Sequence, residues 1–280
     1  MYQIAGANYQ EQHRFSGSFE NTASQMDRLL THFEPISLSD MKNVALLKRT
    51  DTKYVMGVSQ LQDVLRQIGT EYRVLDIQGV RLHQYQTVYF DTDDLLMYRQ
   101  HHNGLRNRYK VRLREYVDTE MAFWEVKRKN NRNSTIKSRM QTSEIVPDIE
   151  GAVDDFVHEY TPIEPQQLDL KLWNEFLRMT LVSKTRLERL TLDINVSFGH
   201  GDLQTAMPGI AIAEVKQEHF TQDSDFIRQM RLHGIRPNRF SKYCAGIYSL
   251  YDDVKTNNFK TRIRLVNELM KEEVEHEYAH

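Results

Sequence analysis

The chain has 280 residues, 40% of them apolar and 10% aromatic, enough to bury the core of one large domain or two small ones. Its 37 lysines and arginines nearly balance 39 aspartates and glutamates, so no molecule-wide field draws it to nucleic acid or a membrane, and any anion site must come from local segregation of charge. A single cysteine, Cys244, excludes an intramolecular disulfide and leaves a thiolate zinc cluster without ligands; a reducing compartment, the cytoplasm, is the expected location.

Residues 1–18 are polar and aperiodic, an expected arm without the apolar region of a signal peptide, and nowhere do about 18 apolar residues run together to span a membrane. Met26, Leu29, Leu30 and Phe33 predict a helix over 20–33 that Pro35 ends. Alternation predicts a strand over 43–56, then a short helix through Leu61, Val64, Leu65 and Ile68 stopped by Gly69, strands over 71–76 and 84–90, and a short helix over 91–103. A meander of strands is expected over 105–117, 121–129 and 134–145, followed by helices over 150–160 and 166–180. Strands over 182–197 and 208–218 flank a Gly199-His200-Gly201 turn, and helices over 221–233, 241–251 and 258–279 finish the chain. Strands that pair locally, with helices at the flanks, argue an α+β fold with an antiparallel sheet rather than alternating βαβ units. The divisions are an N-terminal arm and helix (1–39), a β-rich domain (40–251) and a C-terminal helix (252–280).

Arg106, Arg108, Lys110, Arg112 and Arg114 recur at every second position. On a strand all five share one face, while Leu105, Tyr109, Val111 and Leu113 belong to the other, apolar one. One reading is a solvated strand face; the other is an anion-binding face, favoured because five like charges repel one another unless an anion sits opposite. Residues 106–139 carry eleven basic residues against four acidic ones. Lys127 and Lys129 share a face with Glu125, and Lys137 and Arg139 share one on the next strand, so neighbouring basic rows would line the bore of a curled sheet. Guanidinium forks and ammonium charges both suit phosphate oxygens.

Weaker rows of the same parity are Arg49-Asp51-Lys53, Arg189-Thr191-Asp193 and Ile212-Glu214-Lys216-Glu218, each also readable as the polar face of a half-exposed sheet. Glu214 follows the apolar run Ile210-Ala211-Ile212-Ala213, so its carboxylate is expected to be partly buried and to need a cation.

The ordered set Arg49-Thr50-Asp51-Thr52-Lys53-Tyr54, Val88-Tyr89-Phe90-Asp91-Thr92, Val111-Arg112-Leu113-Arg114, Glu125-Val126-Lys127-Arg128-Lys129, Arg189-Leu190-Thr191-Leu192-Asp193, Glu214-Val215-Lys216 and Arg239-Phe240-Ser241-Lys242-Tyr243 resembles the vacuolar transporter chaperone (VTC) polyphosphate polymerase family of triphosphate tunnel metalloenzymes, over about residues 40–250. The resemblance implies an eight-stranded antiparallel tunnel that binds ATP and a growing inorganic polyphosphate, with a divalent metal, Mn²⁺ or Mg²⁺, held by a glutamate. By motif, Lys53, Arg112, Arg114, Lys127, Arg189, Lys216, Ser241 and Lys242 would contact phosphates, with Arg112, Arg114, Lys127 and Arg189 nearest the chemistry, and Glu214 would hold the metal. Arg49, Lys110, Lys137 and Arg139 join them from the basic rows. Arg239, which stands where the family often has lysine, and Lys184 and Arg186, which lie where its usual tyrosine is missing, are further phosphate contacts that the resemblance implies. The implied activity transfers the γ-phosphate of ATP to polyphosphate; the rivals are a triphosphatase or polyphosphatase with water as acceptor, and a non-catalytic polyphosphate or nucleotide sensor. A membrane-protein partner is implied only by the resemblance, nucleic acid is not expected as a ligand, and the oligomeric state stays open.

The zincin-like His276-Glu277-Tyr278-Ala279-His280 ends the chain, where a helix frays and nothing downstream can cover a zinc. No P-loop or dinucleotide-binding glycine turn occurs, so phosphate recognition must use side chains. Cys244 is expected inside the helix that Ser241 caps, and the C-terminal helix is expected to pack on the sheet or a partner.

Overall fold

The computed structural model describes residues 17–42, 49–131, 134–142 and 147–278. Its strands in chain order are β1 (Glu34–Ile36), β2 (Thr50–Gly57), β3 (Tyr72–Leu75), β4 (His83–Asp91), β5 (Arg108–Tyr116), β6 (Met121–Lys129), β7 (Thr135–Thr142), β8 (Asp169–Ser183), β9 (Glu188–His200), β10 (Leu203–Met207) and β11 (Ile210–Gln217). The helices are α1 (Gly17–Leu30), α2 (Leu38–Lys42), α3 (Val58–Ile68), α4 (Leu96–His102), α5 (Ala152–Tyr160), α6 (Asp225–Leu232), α7 (Lys242–Leu250) and α8 (Lys260–Tyr278). Eight strands pair antiparallel in the order β2-β11-β9-β8-β4-β5-β6-β7. The fold is α+β, and the eight strands are the number expected. Among the described residues β2 and β7, the two ends of this path, form no ladder with each other, yet both line one cavity, so the sheet curls into a barrel with an open seam.

Alternation along each strand sorts side chains into three cores. Ala211, Ala213 and Val215 of β11 and Leu190 and Leu192 of β9 point outward under α1, α3 and α6. Val111 and Leu113 of β5 and Trp124 and Val126 of β6 point outward under α5. The third core lies inside the barrel, where Val55, Phe176, Phe198, Ile210 and Ile212 meet α7 and α8. Inward side chains therefore change character along a strand: on β11, Ile210 and Ile212 meet the helix, whereas Glu214 and Lys216 face the open bore. On β9 the same change crosses Asn195, whose φ of 53° breaks the alternation opposite the register shift between Glu175 and Leu177. Helix α8 is tied down by Glu273, whose carboxylate accepts the Ser59 N–H at 3.1 Å in the first turn of α3. Gly57 permits that approach, because a Cβ there would stand 2.1 Å from the carboxylate.

Several expectations need correction. Residues 169–183 are strand β8 where a helix over 166–180 was expected, because both faces of the strand are buried, Leu172 and Phe176 inside the barrel and Leu177, Met179 and Leu181 in the outer core, so that apolar residues fall at a helical spacing. Pro35 does not simply end α1: Glu34–Ile36 pairs in parallel with β3. The expected strand over 182–197 is split by the turn at 184–187, and the chain reverses at Gly201 into β10. Residues 43–48 of the expected strand over 43–56, residues 143–145, most of the N-terminal arm and the last two residues lie outside the described residues. No described helix is long and apolar enough to cross a membrane.

Candidate functional site

The bore is a cavity of about 1410 Å³, and among the described residues seventeen lysines and arginines line it against four carboxylates. The parity expected on β5 holds: Lys110, Arg112 and Arg114 face the cavity while Tyr109, Val111 and Leu113 enter the outer core. Arg106 precedes the strand and, with Arg108, lines the mouth. The ladder sets Lys110 opposite Lys127 and Lys127 opposite Lys137. Three like charges in adjacent cross-strand positions oppose folding unless something anionic compensates them.

Part of that compensation is internal. Arg112 donates to Glu125 through Nε at 2.7 Å and Nη2 at 2.5 Å, and Lys137 pairs with the other oxygen of the same carboxylate. Burial opposes the Glu125 charge, but Arg112, Arg114 and Lys137 hold its carboxyl well below the usual range. Asp193 accepts from Arg178 Nε at 2.5 Å and Nη2 at 2.7 Å and also pairs with Lys242. Lys216 donates at 2.8 Å both to Glu214 and to the Thr191 hydroxyl, and Arg49 pairs with Asp51 at 2.9 Å. Lys53 donates to the Phe240 carbonyl at 3.1 Å.

The remaining cations have no carboxylate in an ion pair among the described residues. Arg114 is buried, donates only to the Thr87 hydroxyl at 3.2 Å, and lies over the Tyr85 and Phe176 rings. Lys127 has neither a hydrogen bond nor an ion pair, and the Arg189 Nε is buried without a partner. Lys110 donates to the Ser241 hydroxyl at 2.8 Å. Burial pushes all four down: Arg114 with help from Arg112, Lys127 from Arg112 and Arg114, Arg189 from Arg49, and Lys110, to about 8, from Lys53 and Arg112. A polyanion threading among them would relieve burial and repulsion together.

Ser241 and Lys242 begin α7, whose N-terminus opens on the bore. The Ser241 hydroxyl accepts the Cys244 N–H and the Lys110 ammonium, so it both caps the helix and lines the site. Cys244 is buried in α7, as expected. Burial lowers the Lys242 ammonium to about 7 despite Asp193 beside it. An ammonium is charged below its pKa, so triphosphate affinity is expected to fall as pH rises from about 7 to about 9, with Lys242 and Lys110 losing their protons. Titration in two buffers of different ionisation enthalpy should show proton uptake on binding near pH 8; affinity flat across the range, with no uptake, would count against both lysines.

Exposed Arg239 lines the mouth, and Arg139 lines the bore from β7. Lys184 and Arg186 do not join them: they sit exposed in the β8–β9 turn, outside the bore, and Lys184 pairs with Glu34 at 3.0 Å. The turn carries them past the strand ends, away from the phosphate contacts expected of them. The site also contains Arg178, which the expected helix over 166–180 hid; the spacing Arg178-x-Thr180, read as strand, would have placed it. The carboxylates do not form a preassembled metal cage: no described group of three or more His, Cys, Asp or Glu could hold a metal ion. Glu214 stands near Asp51, whose carboxyl is raised by burial and by the Glu214 charge.

A fold and a cation-lined bore of this kind define a class of polyanion-handling proteins. Over residues 48–251 the sequence matches the model of the VTC domain, and the chain belongs to that family. A comparison with curated proteins finds no match. Among solved structures, a putative adenylate cyclase from Bacillus halodurans is 13% identical with a TM-score of 0.48, over 73% of this chain and 98% of that one. A putative adenylyl cyclase from Hippeastrum, described as having a dominant triphosphatase activity, is 10% identical with a TM-score of 0.41, over 71% of this chain and 96% of that one. A protein from Pyrococcus horikoshii OT3 is 11% identical with a TM-score of 0.41, over 72% and 99%.

Proposed function

We propose that this chain is a metal-dependent phosphotransferase that moves the γ-phosphoryl group of ATP onto inorganic polyphosphate. The observation that carries this reading is the set of inward cations without carboxylate partners among the described residues, Lys110, Arg114, Lys127 and Arg189, inside the bore of a VTC-family domain. Phosphoryl transfer asks little covalent chemistry of a protein; positioning and cationic charge on the transferring oxygens supply most of the acceleration. In this reading Arg112 and Arg114 would hold the transferring phosphate, and Lys127 and Arg189 its neighbours along the chain. Glu214 is the carboxylate that would hold Mg²⁺ or Mn²⁺, with Asp51 nearby; such ions commonly bind through one or two carboxylates and complete their shell with substrate phosphates and water, so the absence of a larger acidic cluster fits. When bound, the metal would supply positive charge to offset that on the phosphate oxygens.

Transfer to phosphate, rather than to water, is favoured by one feature. Of the four carboxylates that line the bore, Asp51, Asp193 and Glu214 are each held in an ion pair with lysine or arginine, as is Glu125 beside them, which leaves none of these free to activate water; the fourth, Asp118, accepts the Gln84 N–H and lies 3.4 Å from His83. A phosphate oxygen is already an anion and needs no base. Purified protein incubated with ATP and Mn²⁺ or Mg²⁺ is expected to yield ADP together with an acid-labile phosphate polymer. Free phosphate as the product would make it a hydrolase, and tight binding without ADP would make it a sensor.

A further inference from the structure

Four aromatic rings cross the inner wall of the barrel in one row, from β8 to β6: Phe176, Tyr85, Tyr116 and Phe123. Phe176 and Tyr85 stack with centroids 5.3 Å apart, Tyr85 and Tyr116 lie 4.9 Å apart, and Tyr116 meets Phe123 edge to face at 5.8 Å. The first two are occupied from within. The Arg178 guanidinium lies 4.8 Å from the Tyr85 centroid and 5.1 Å from that of Phe176, and the Lys242 ammonium 4.1 Å from Phe176. The outer two differ. Tyr116 and Phe123 are part exposed and line the cavity; among the described residues Tyr116 has no cation over its ring, and Phe123 has only Arg139, at 5.1 Å. The Tyr116 hydroxyl makes no hydrogen bond among the described residues.

Inorganic polyphosphate has no apolar part to offer such rings, but a nucleotide does. We infer that the Tyr116–Phe123 end of the bore seats the base of a nucleoside triphosphate, with its phosphates directed inward to Arg114 and Arg112. The inference rests on the triphosphate reading above and adds to it an orientation and a nucleoside contact. Spacing supports it: Tyr116 lies two residues beyond Arg114 and four beyond Arg112 on β5, about 7 Å and about 14 Å along an extended strand. Ribose and α-phosphate fit the first interval, and the outer phosphates the second. Phe123 stands directly across the ladder from Arg114, so ring and guanidinium share one level of the bore. Stacking on tyrosine and phenylalanine tolerates any base, so the seat would select for a nucleoside and only weakly among nucleosides. Arg139, beside Phe123, can stack on the base or turn to its α-phosphate.

The test compares ATP with tripolyphosphate by titration calorimetry at one fixed Mg²⁺ concentration, on the wild type, Tyr116→Leu, Phe123→Leu and Tyr116→Phe. The leucine variants are expected to weaken ATP about ten- to hundredfold and to leave tripolyphosphate within about twofold, while Tyr116→Phe binds both like the wild type. Retained tripolyphosphate binding also shows that each variant is folded. Equal losses for both ligands would mean that the rings only support the arginines, and the seat would be overturned. Wild-type affinity for tripolyphosphate with ATP indifferent to every variant would overturn the seat and leave the phosphate reading standing; binding of neither ligand to the wild type would overturn both.

Discussion

Lys127→Met is expected to make the ligand-free protein more stable and a poorer binder at once. Among the described residues Lys127 has neither hydrogen bond nor ion pair in the bore, and burial with Arg112 and Arg114 nearby pushes its ammonium well down. A lysine whose folded pKa lies below its unfolded value destabilises at neutral pH, and that penalty fades as pH rises towards about 10.4. Methionine keeps the length of the side chain and removes the charge, so unfolding should become harder by about 1–2 kcal/mol at pH 7, with less gain at pH 10. Triphosphate binding should lose one charge-assisted contact, about 1.5–3 kcal/mol. Urea melts at two pH values and a tripolyphosphate titration read both sides. A variant less stable than the wild type, or one that binds equally well, would mean that Lys127 serves the fold.

Glu214→Gln should separate rate from affinity. The carboxylate is held ionised by Lys216 and Lys53 against the pull of burial, and it is the best-placed inward acid to hold a divalent ion beside a triphosphate. The amide keeps the shape and removes the charge that hard cations require. Turnover of ATP should fall by about 10²–10³, a loss of about 3–4 kcal/mol in transition-state stabilisation. Metal-free tripolyphosphate binding should hold or tighten, because Lys216 loses its partner and turns to the phosphate. Steady-state kinetics beside calorimetry would reveal the split. Unchanged turnover would move the metal to Asp51, Glu125, Asp193 or Glu218.

Legibility in the sequence followed the regularity of each strand. The inward face of β5 could be read from alternation alone, because nothing interrupts Lys110-Val111-Arg112-Leu113-Arg114 and both sets of positions are buried for opposite reasons, one by a core and one by the bore. The neighbouring rows on β6 and β7 followed in the same way. Strand β8 was hidden because both of its faces are buried and its apolar residues fall at a helical spacing, and with it went Arg178 and the aromatic row through Phe176. Strands β1 and β10 were missed for another reason: three and five residues are too short to display a period. Ion pairing was only partly legible. The row Glu214-x-Lys216 pairs within one strand, but Asp193 joins Arg178 from the next strand and Lys242 from a helix 49 residues away, which no local pattern encodes. Division of the cations into paired and unpaired sets, on which the functional reading depends, therefore needed the fold.

Arg114 and Arg128 give the most direct measurement of the central claim. Arg114 is buried on the inner wall, whereas Arg128 points outward from β6, stacks on Tyr109 and donates to Asn107 at 3.3 Å. Tripolyphosphate titrated into Arg114→Ala should bind about 1.5–3 kcal/mol more weakly than to the wild type, and into Arg128→Ala within about 0.5 kcal/mol of it. Equal losses at the two positions would contradict a cation-lined bore and make the anion site a diffuse property of the outer surface.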